Sequence, residues 1–186
     1  MIYLASNSPR RAELLRQIAV QFTVVNAPIE EKLQVGETPD SYALRLAREK
    51  ASAGFACSNK DRPVLGADTI VVIAENILEK PRNKAHAREM LKLLSGCTHQ
   101  VLTAIALVDA NGLKTKLVKT EVGFKVLSEQ EIADYWMTGE PLDKAGGYAI
   151  QGVAGKFITH ISGSYSAVVG LPLHETDQLI KEFYRN

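Results

Sequence analysis

Short apolar runs alternate along the chain with segments whose apolar residues recur every three or four positions, a pattern that predicts an α/β fold. The runs at 2–5, 22–25, 64–65 with 69–74, 101–108, 116–126 and 157–161 read as strands. Ser8-Pro9 and Thr38-Pro39 each set a capping residue before a proline, which suits the first helical position because its missing N–H would be unpaired there anyway. The first of these helices turns Leu14, Leu15 and Ile18 inward, and the second runs to about Ala56. Asn83 caps a helix with Ala87, Met90, Leu91 and Leu94 inward, ended by Gly96. Ser128 with Glu131 makes a capping box for a helix to about Met137. A last helix over 172–184 has Leu173, Leu179, Ile180 and Phe183 as its apolar positions. Asn111-Gly112 signals a hairpin. Gly66-Ala67-Asp68 is expected to break the third strand, and Glu75-Asn76 to turn it back to Ile77-Leu78.

Composition narrows the class further. A chain of 186 residues buries roughly 70% of its unfolded surface and needs no staples, so residues 1–186 are read as one domain. Hydrophobic residues make up 46% and charged residues 23%, which suits neither a disordered chain nor a membrane protein. No apolar run approaches the roughly 20 residues that cross a bilayer. The first residues, Ile2–Ala5, have no charged segment before them and read as a buried strand rather than a signal peptide. Cys57 and Cys97 lie far apart in no metal or redox spacing, which fits a reducing compartment. The net charge of +1 excludes a whole-molecule positive field for nucleic acid. Any anionic ligand must therefore meet a local cluster.

One such cluster is Ser6-Asn7-Ser8-Pro9-Arg10-Arg11, between a strand and a helix start. Helix N-termini present unpaired N–H groups and partial positive charge. Two guanidinium groups in the first turn oppose that dipole unless an anion arrives to offset both; otherwise they are a solvated surface pair. A second feature is Asp68, followed by Thr69, within an apolar run. A carboxylate there is either a turn residue between two strands or a cleft group able to hold a divalent cation or take a proton from water. Glu30-Glu31 follows the second strand, where α/β sheets open onto their ligands, and offers a further carboxylate. Lys50, Lys80 and Lys144 are each surface lysines by default, although Lys144 precedes Gly146-Gly147, where backbone can approach a phosphate closely. Gln151 carries a donor and an acceptor that match the edge of uracil or thymine, or is a polar strand-end residue. The dinucleotide fingerprint, the P-loop, zinc-helix histidine spacing and the nucleophile elbow are all missing. What remains suits metal-assisted phosphate chemistry with water as nucleophile.

These residues also resemble a known family. Leu4-Ala5-Ser6-Asn7-Ser8-Pro9-Arg10-Arg11, Gly66-Ala67-Asp68-Thr69, Lys80-Pro81, Leu94-Ser95-Gly96, Lys144-Ala145-Gly146-Gly147-Tyr148-Ala149-Ile150-Gln151-Gly152, Gly163-Ser164-Tyr165 and Val169-Gly170-Leu171-Pro172-Leu173 resemble the Maf nucleotide pyrophosphatases, in order and over nearly the whole chain. The segment at 148–152 resembles the branch acting on dTTP and UTP rather than the one acting on 7-methyl-GTP. The resemblance implies a central mixed twisted sheet flanked by helices, two lobes with a cleft between them, a divalent cation (Mg or Mn), a cytoplasmic setting and a homodimer. It implies Asp68 as proton acceptor, Arg10, Thr69 and Gln151 in substrate selection, and Glu31, Lys50 and Lys80 as charged cleft residues. With these, Ser6, Arg10, Arg11, Lys50, Lys80 and Lys144 are assigned to phosphate and Glu31 and Asp68 to the metal. The competing expectation is a nucleotide-binding regulator of septum formation without turnover.

Overall fold

The computed structural model of the chain describes residues 1–184. Its strands are β1 (Ile2–Ala5), β2 (Phe22–Val24), β3 (Val64–Ile73), β4 (Asn76–Leu78), β5 (Thr98–Asp109), β6 (Gly112–Phe124) and β7 (Ile158–Ser162). Six helices accompany them: α1 (Pro9–Gln17), α2 (Pro39–Cys57), α3 (Lys84–Leu94), α4 (Glu129–Met137), α5 (Tyr165–Val169) and α6 (Leu173–Tyr184). The strands form one mixed sheet in the order β2-β1-β3-β5-β6-β7, with β4 paired to β3. β1 runs parallel to β2 and β3, because α1 and α2 serve as the crossovers, while β3, β5, β6 and β7 continue antiparallel. The helix starts at Pro9, Pro39, Lys84 and Glu129 follow the cap signals, and Thr38, Asn83 and Ser128 accept the expected backbone bonds.

The third strand differs from expectation: β3 runs unbroken through Gly66-Ala67-Asp68. Gly66 is there for packing rather than for a break. A Cβ at this position would lie 2.5 Å from both Ala47 O and Ala51 N of α2. The helix presses its small-residue face (Ala43, Ala47, Ala51, Gly54) directly onto β1 and β3, which draws Lys50 toward the strand.

Strand lengths then create the opening. β1 pairs with β3 only through Val64, Leu65 and Gly66, and β4 pairs with the same edge only from Val71 to Ile73. Between them residues 67–70 bond to β5 alone. Consecutive side chains on that bare edge point to opposite faces, so Asp68 meets α2 while Thr69 meets α1. Two hydrophobic cores flank the gap. One gathers β1, α1 and α6 around Leu4, Leu15, Leu107 and Leu179; the other gathers α3, α4 and β6 around Leu91, Val122, Tyr135 and Phe157. The cleft lies between these two lobes.

His99 packs against the second of these cores, 2% exposed, with its ring edge-on to Phe124 and Tyr148. His99 Nε2 and Tyr148 Oη share a 2.7 Å hydrogen bond, and Nδ1 is buried without a partner. Burial pulls the imidazole down to about 4. The unfolded chain takes up this proton near its ordinary value of about 6.5 and the folded chain only near 4, so the stabilisation is complete above 6.5 and declines by about 3 kcal/mol in all as pH falls between the two. Urea midpoints measured between about pH 7 and about pH 4.5 should therefore fall more steeply for the wild type than for His99→Gln. Parallel pH profiles for the two proteins would contradict this.

Candidate active site

All ten residues singled out from the sequence — Ser6, Arg10, Arg11, Glu31, Lys50, Asp68, Thr69, Lys80, Lys144 and Gln151 — line one cleft of about 490 Å³. That volume is in the range of small-molecule sites. Ser8 occupies the cap position of α1, but its side chain caps nothing. Ser6 turns inward instead, its Oγ accepting from Ser8 N–H and from Arg11 Nη1, both at 3.2 Å.

Arg11 is held in the cleft by three hydrogen bonds, one of them the bond to Ser6. Its Nε donates to Gly170 O at 2.8 Å and its Nη2 to Thr69 Oγ1 at 3.3 Å. It pairs with no carboxylate among the described residues. Burial pulls its guanidinium below the ordinary value; the charges of Asp68 and Glu31 oppose that pull and Arg10 adds to it. Arginine stays protonated even so, which leaves a desolvated positive charge facing the cleft. Thr69 is held in turn by Thr103, a fully buried hydroxyl 3.1 Å from Thr69 Oγ1 and 2.7 Å from Ala167 O. Arg10 lies along the same lip, half-buried.

On the other face of β3, Lys50 Nζ stands 2.7 Å from Asp68 Oδ1 and 2.7 Å from Glu31 Oε1. The second Asp68 oxygen, Oδ2, is buried with no hydrogen-bond partner. A buried carboxylate oxygen left bare is costly unless something else comes to it. Burial alone would push the Glu31 carboxyl up, but its hydrogen bond to Lys50 and the charges of Lys50, Lys80 and Arg11 hold it below the usual carboxylate range. Lys80, on an exposed stem, reaches to 3.9 Å from Glu31 Oε2. Glu30 turns away and pairs with Lys32.

The opposite wall comes from residues 143–151. Lys144 Nζ is held by Asp143 Oδ1 at 2.6 Å, and Gln151 stands exposed beyond Tyr148, Ala149 and Ile150. Thr103 and the Gly170 carbonyl carry no sequence signal of their role. A threonine inside a strand and a glycine ending a helix have ordinary structural uses, and only their contact with Arg11 and Thr69 marks them.

The arrangement defines an α/β protein whose cleft can hold a polyanion on one wall and present a bare carboxylate oxygen to it. Residues 1–183 match the family described as Maf-like protein. Over 183 residues the chain is 56% identical to the dTTP/UTP pyrophosphatase of Pseudoalteromonas atlantica, covering 97% of this chain and 95% of that one. It is 57% identical over 182 residues to the protein of the same name from Salmonella typhimurium, covering 98% and 92%. Among solved structures, the Ham1 protein of Staphylococcus aureus aligns over 84% of this chain and 90% of its own, with a TM-score of 0.47 and 17% identity. The chain belongs to the Maf family.

Proposed function

We propose that this chain is a nucleoside triphosphate pyrophosphatase that hydrolyses dTTP and UTP to the monophosphate and pyrophosphate. The observation that carries the reading is the bare, buried Oδ2 of Asp68, set among Arg11, Lys50 and Lys80 in one cleft. The names of the relatives supply the substrate class. In this reading the triphosphate lies along the start of α1, where Ser6, Arg10 and Arg11 meet its oxygens, with Lys50, Lys80 and Lys144 across from them. Asp68 Oδ2 takes a proton from water as the water oxygen bonds to the α-phosphorus. The bond from that phosphorus to its bridging oxygen breaks, and pyrophosphate carries the electron pair away. Lys50 orients Asp68 through its contact with Oδ1. Fixed donors aimed at developing charge are usually the largest catalytic contribution. Thr69 acts by holding Arg11, and Gln151 reads the pyrimidine edge.

The donor set fits a divalent cation. Among the described residues no group of three or more histidine, cysteine or acidic residues gathers. The chain therefore offers the carboxylates of Glu31 and Asp68, and phosphate oxygens and water would complete the shell, a pattern that suits magnesium or manganese. When bound, such an ion neutralises phosphate charge. A homodimer and a cytoplasmic setting belong to the same reading, with the whole chain as one catalytic unit. No helix among the described residues is long and apolar enough to cross a membrane.

The test is pyrophosphate release from a panel of nucleoside triphosphates with and without magnesium or manganese. Metal-dependent release favouring dTTP and UTP is the expected result. Tight binding without release would replace this reading with that of a nucleotide-binding regulator.

A further inference from the structure

The backbone that carries Gln151 is irregular. Residues 148–152 belong to no strand or regular helix, and Val153–Phe157 forms only a short 3-10 turn. Irregular backbone holds a side chain in one place only when other groups satisfy its N–H donors. Two side chains do so here. Tyr135, buried on α4, donates its hydroxyl to Glu140 Oε1 at 2.7 Å and accepts from Ala149 N–H at 3.3 Å. Glu140 accepts from Val153 N–H at 2.8 Å and from Ala154 N–H at 3.2 Å. The chain is thus gripped two residues before Gln151 and two residues after it. Gly152 shows how close the grip is, since a Cβ there would lie 2.2 Å from Glu140 Oε2. Neither Tyr135 nor Glu140 lines the cleft.

We propose that Tyr135 and Glu140 form a clamp that positions Gln151, and so set the base specificity of the site without touching substrate. The proposal rests on the pyrimidine pyrophosphatase reading. Burial and the bond to Glu140 push the Tyr135 hydroxyl up. Burial also pushes Glu140 up, yet the Tyr135 hydroxyl and the two N–H groups hold its carboxylate below the usual range, so it stays ionised and accepting near neutrality. Of the residues assigned to phosphate, Ser6, Arg10, Arg11, Lys50 and Lys80 stand on other segments, and only Lys144, held by Asp143, shares this wall. Loosening the clamp should therefore disturb base reading far more than chemistry.

The experiment measures kcat and KM for UTP and CTP, whose bases differ at the edge that a glutamine amide reads. The proteins are the wild type, Glu140→Ala, Glu140→Gln, Tyr135→Phe, Gln151→Ala and the Glu140→Ala/Gln151→Ala double variant. Loss of one good hydrogen bond should lower the UTP-to-CTP ratio of kcat/KM about tenfold in Glu140→Ala and in Gln151→Ala, chiefly through KM. The double variant should discriminate no worse than Gln151→Ala alone, because both changes act through one side chain. Glu140→Gln keeps an acceptor oxygen and should recover part of the ratio. If Glu140→Ala does not fold, Tyr135→Phe removes a single hydroxyl from a ring that stays buried and should shift the ratio in the same direction. A wild-type ratio in Tyr135→Phe and both Glu140 variants, or additive losses in the double variant, overturns the clamp alone. A wild-type chain that releases pyrophosphate from neither nucleotide overturns the functional reading, and the clamp with it.

Discussion

Asp68→Asn should lower kcat for dTTP about a thousandfold while leaving the fold intact, the loss expected when a positioned general base is removed. Asparagine has nearly the shape of aspartate, and its amide oxygen can still accept from Lys50 Nζ where Oδ1 now does, at 2.7 Å. What disappears is the second oxygen's capacity to take a proton. Among the described residues Oδ2 is the one buried carboxylate atom of the cleft with no partner. The substitution also removes one of the two carboxylates proposed to hold a divalent cation, so activity at saturating metal should stay low. Steady-state turnover at saturating dTTP, alongside thermal unfolding of the same preparation, checks the expectation. Turnover within about tenfold of wild type would place the base elsewhere.

Gly66→Ala should destabilise the protein by about 3 kcal/mol, a fall in Tm of about 10 °C for a chain of this size. The methyl group would meet Ala47 O and Ala51 N at 2.5 Å and Ala51 Cα at 2.9 Å, all backbone atoms of α2. No rotamer relieves such a clash, and the helix must move away from β3. Because Lys50 adjoins Ala51 on that helix, the shift also draws its ammonium from Asp68 and Glu31. Differential scanning calorimetry reads the first effect and kcat/KM the second. An unchanged Tm would mean that α2 packs less closely on β3 than described.

Much of the fold is legible in the order of the residues. Thr38, Asn83 and the capping box at Ser128 mark helix starts because they satisfy backbone donors within a few residues, and Pro9 marks the start of α1 by its fixed φ although Ser8 caps nothing. The β5–β6 hairpin is also local, and Asn111-Gly112 stands at its turn. The third strand shows where local reading stops. Glycine and aspartate side by side suggest a break, since both are depleted in strands. Here the glycine answers a helix that arrives from fifteen and more residues earlier in the chain.

The same division runs through the candidate site. The residue types and their motifs are written in the chain, and the α/β pattern already says that loops after parallel strands open onto ligands. Sequence spacing cannot say that Arg11 and Thr69 share a hydrogen bond across 58 positions, or that Lys50 stands between Glu31 and Asp68. Those contacts follow from β1 ending at Ala5 while β3 runs on to Ile73, which leaves a bare edge between two cores. Thr103, Gly170, Tyr135 and Glu140 acquire their contacts to the site only there. By itself the sequence determined most of the elements (though not the unbroken β3 or the short helix α5), the motifs and the chemistry that the side chains can perform. Tertiary structure alone decided which of those side chains meet, because pairing across a sheet depends on strand lengths and on how closely a helix can approach, and neither is a property of any short stretch of chain.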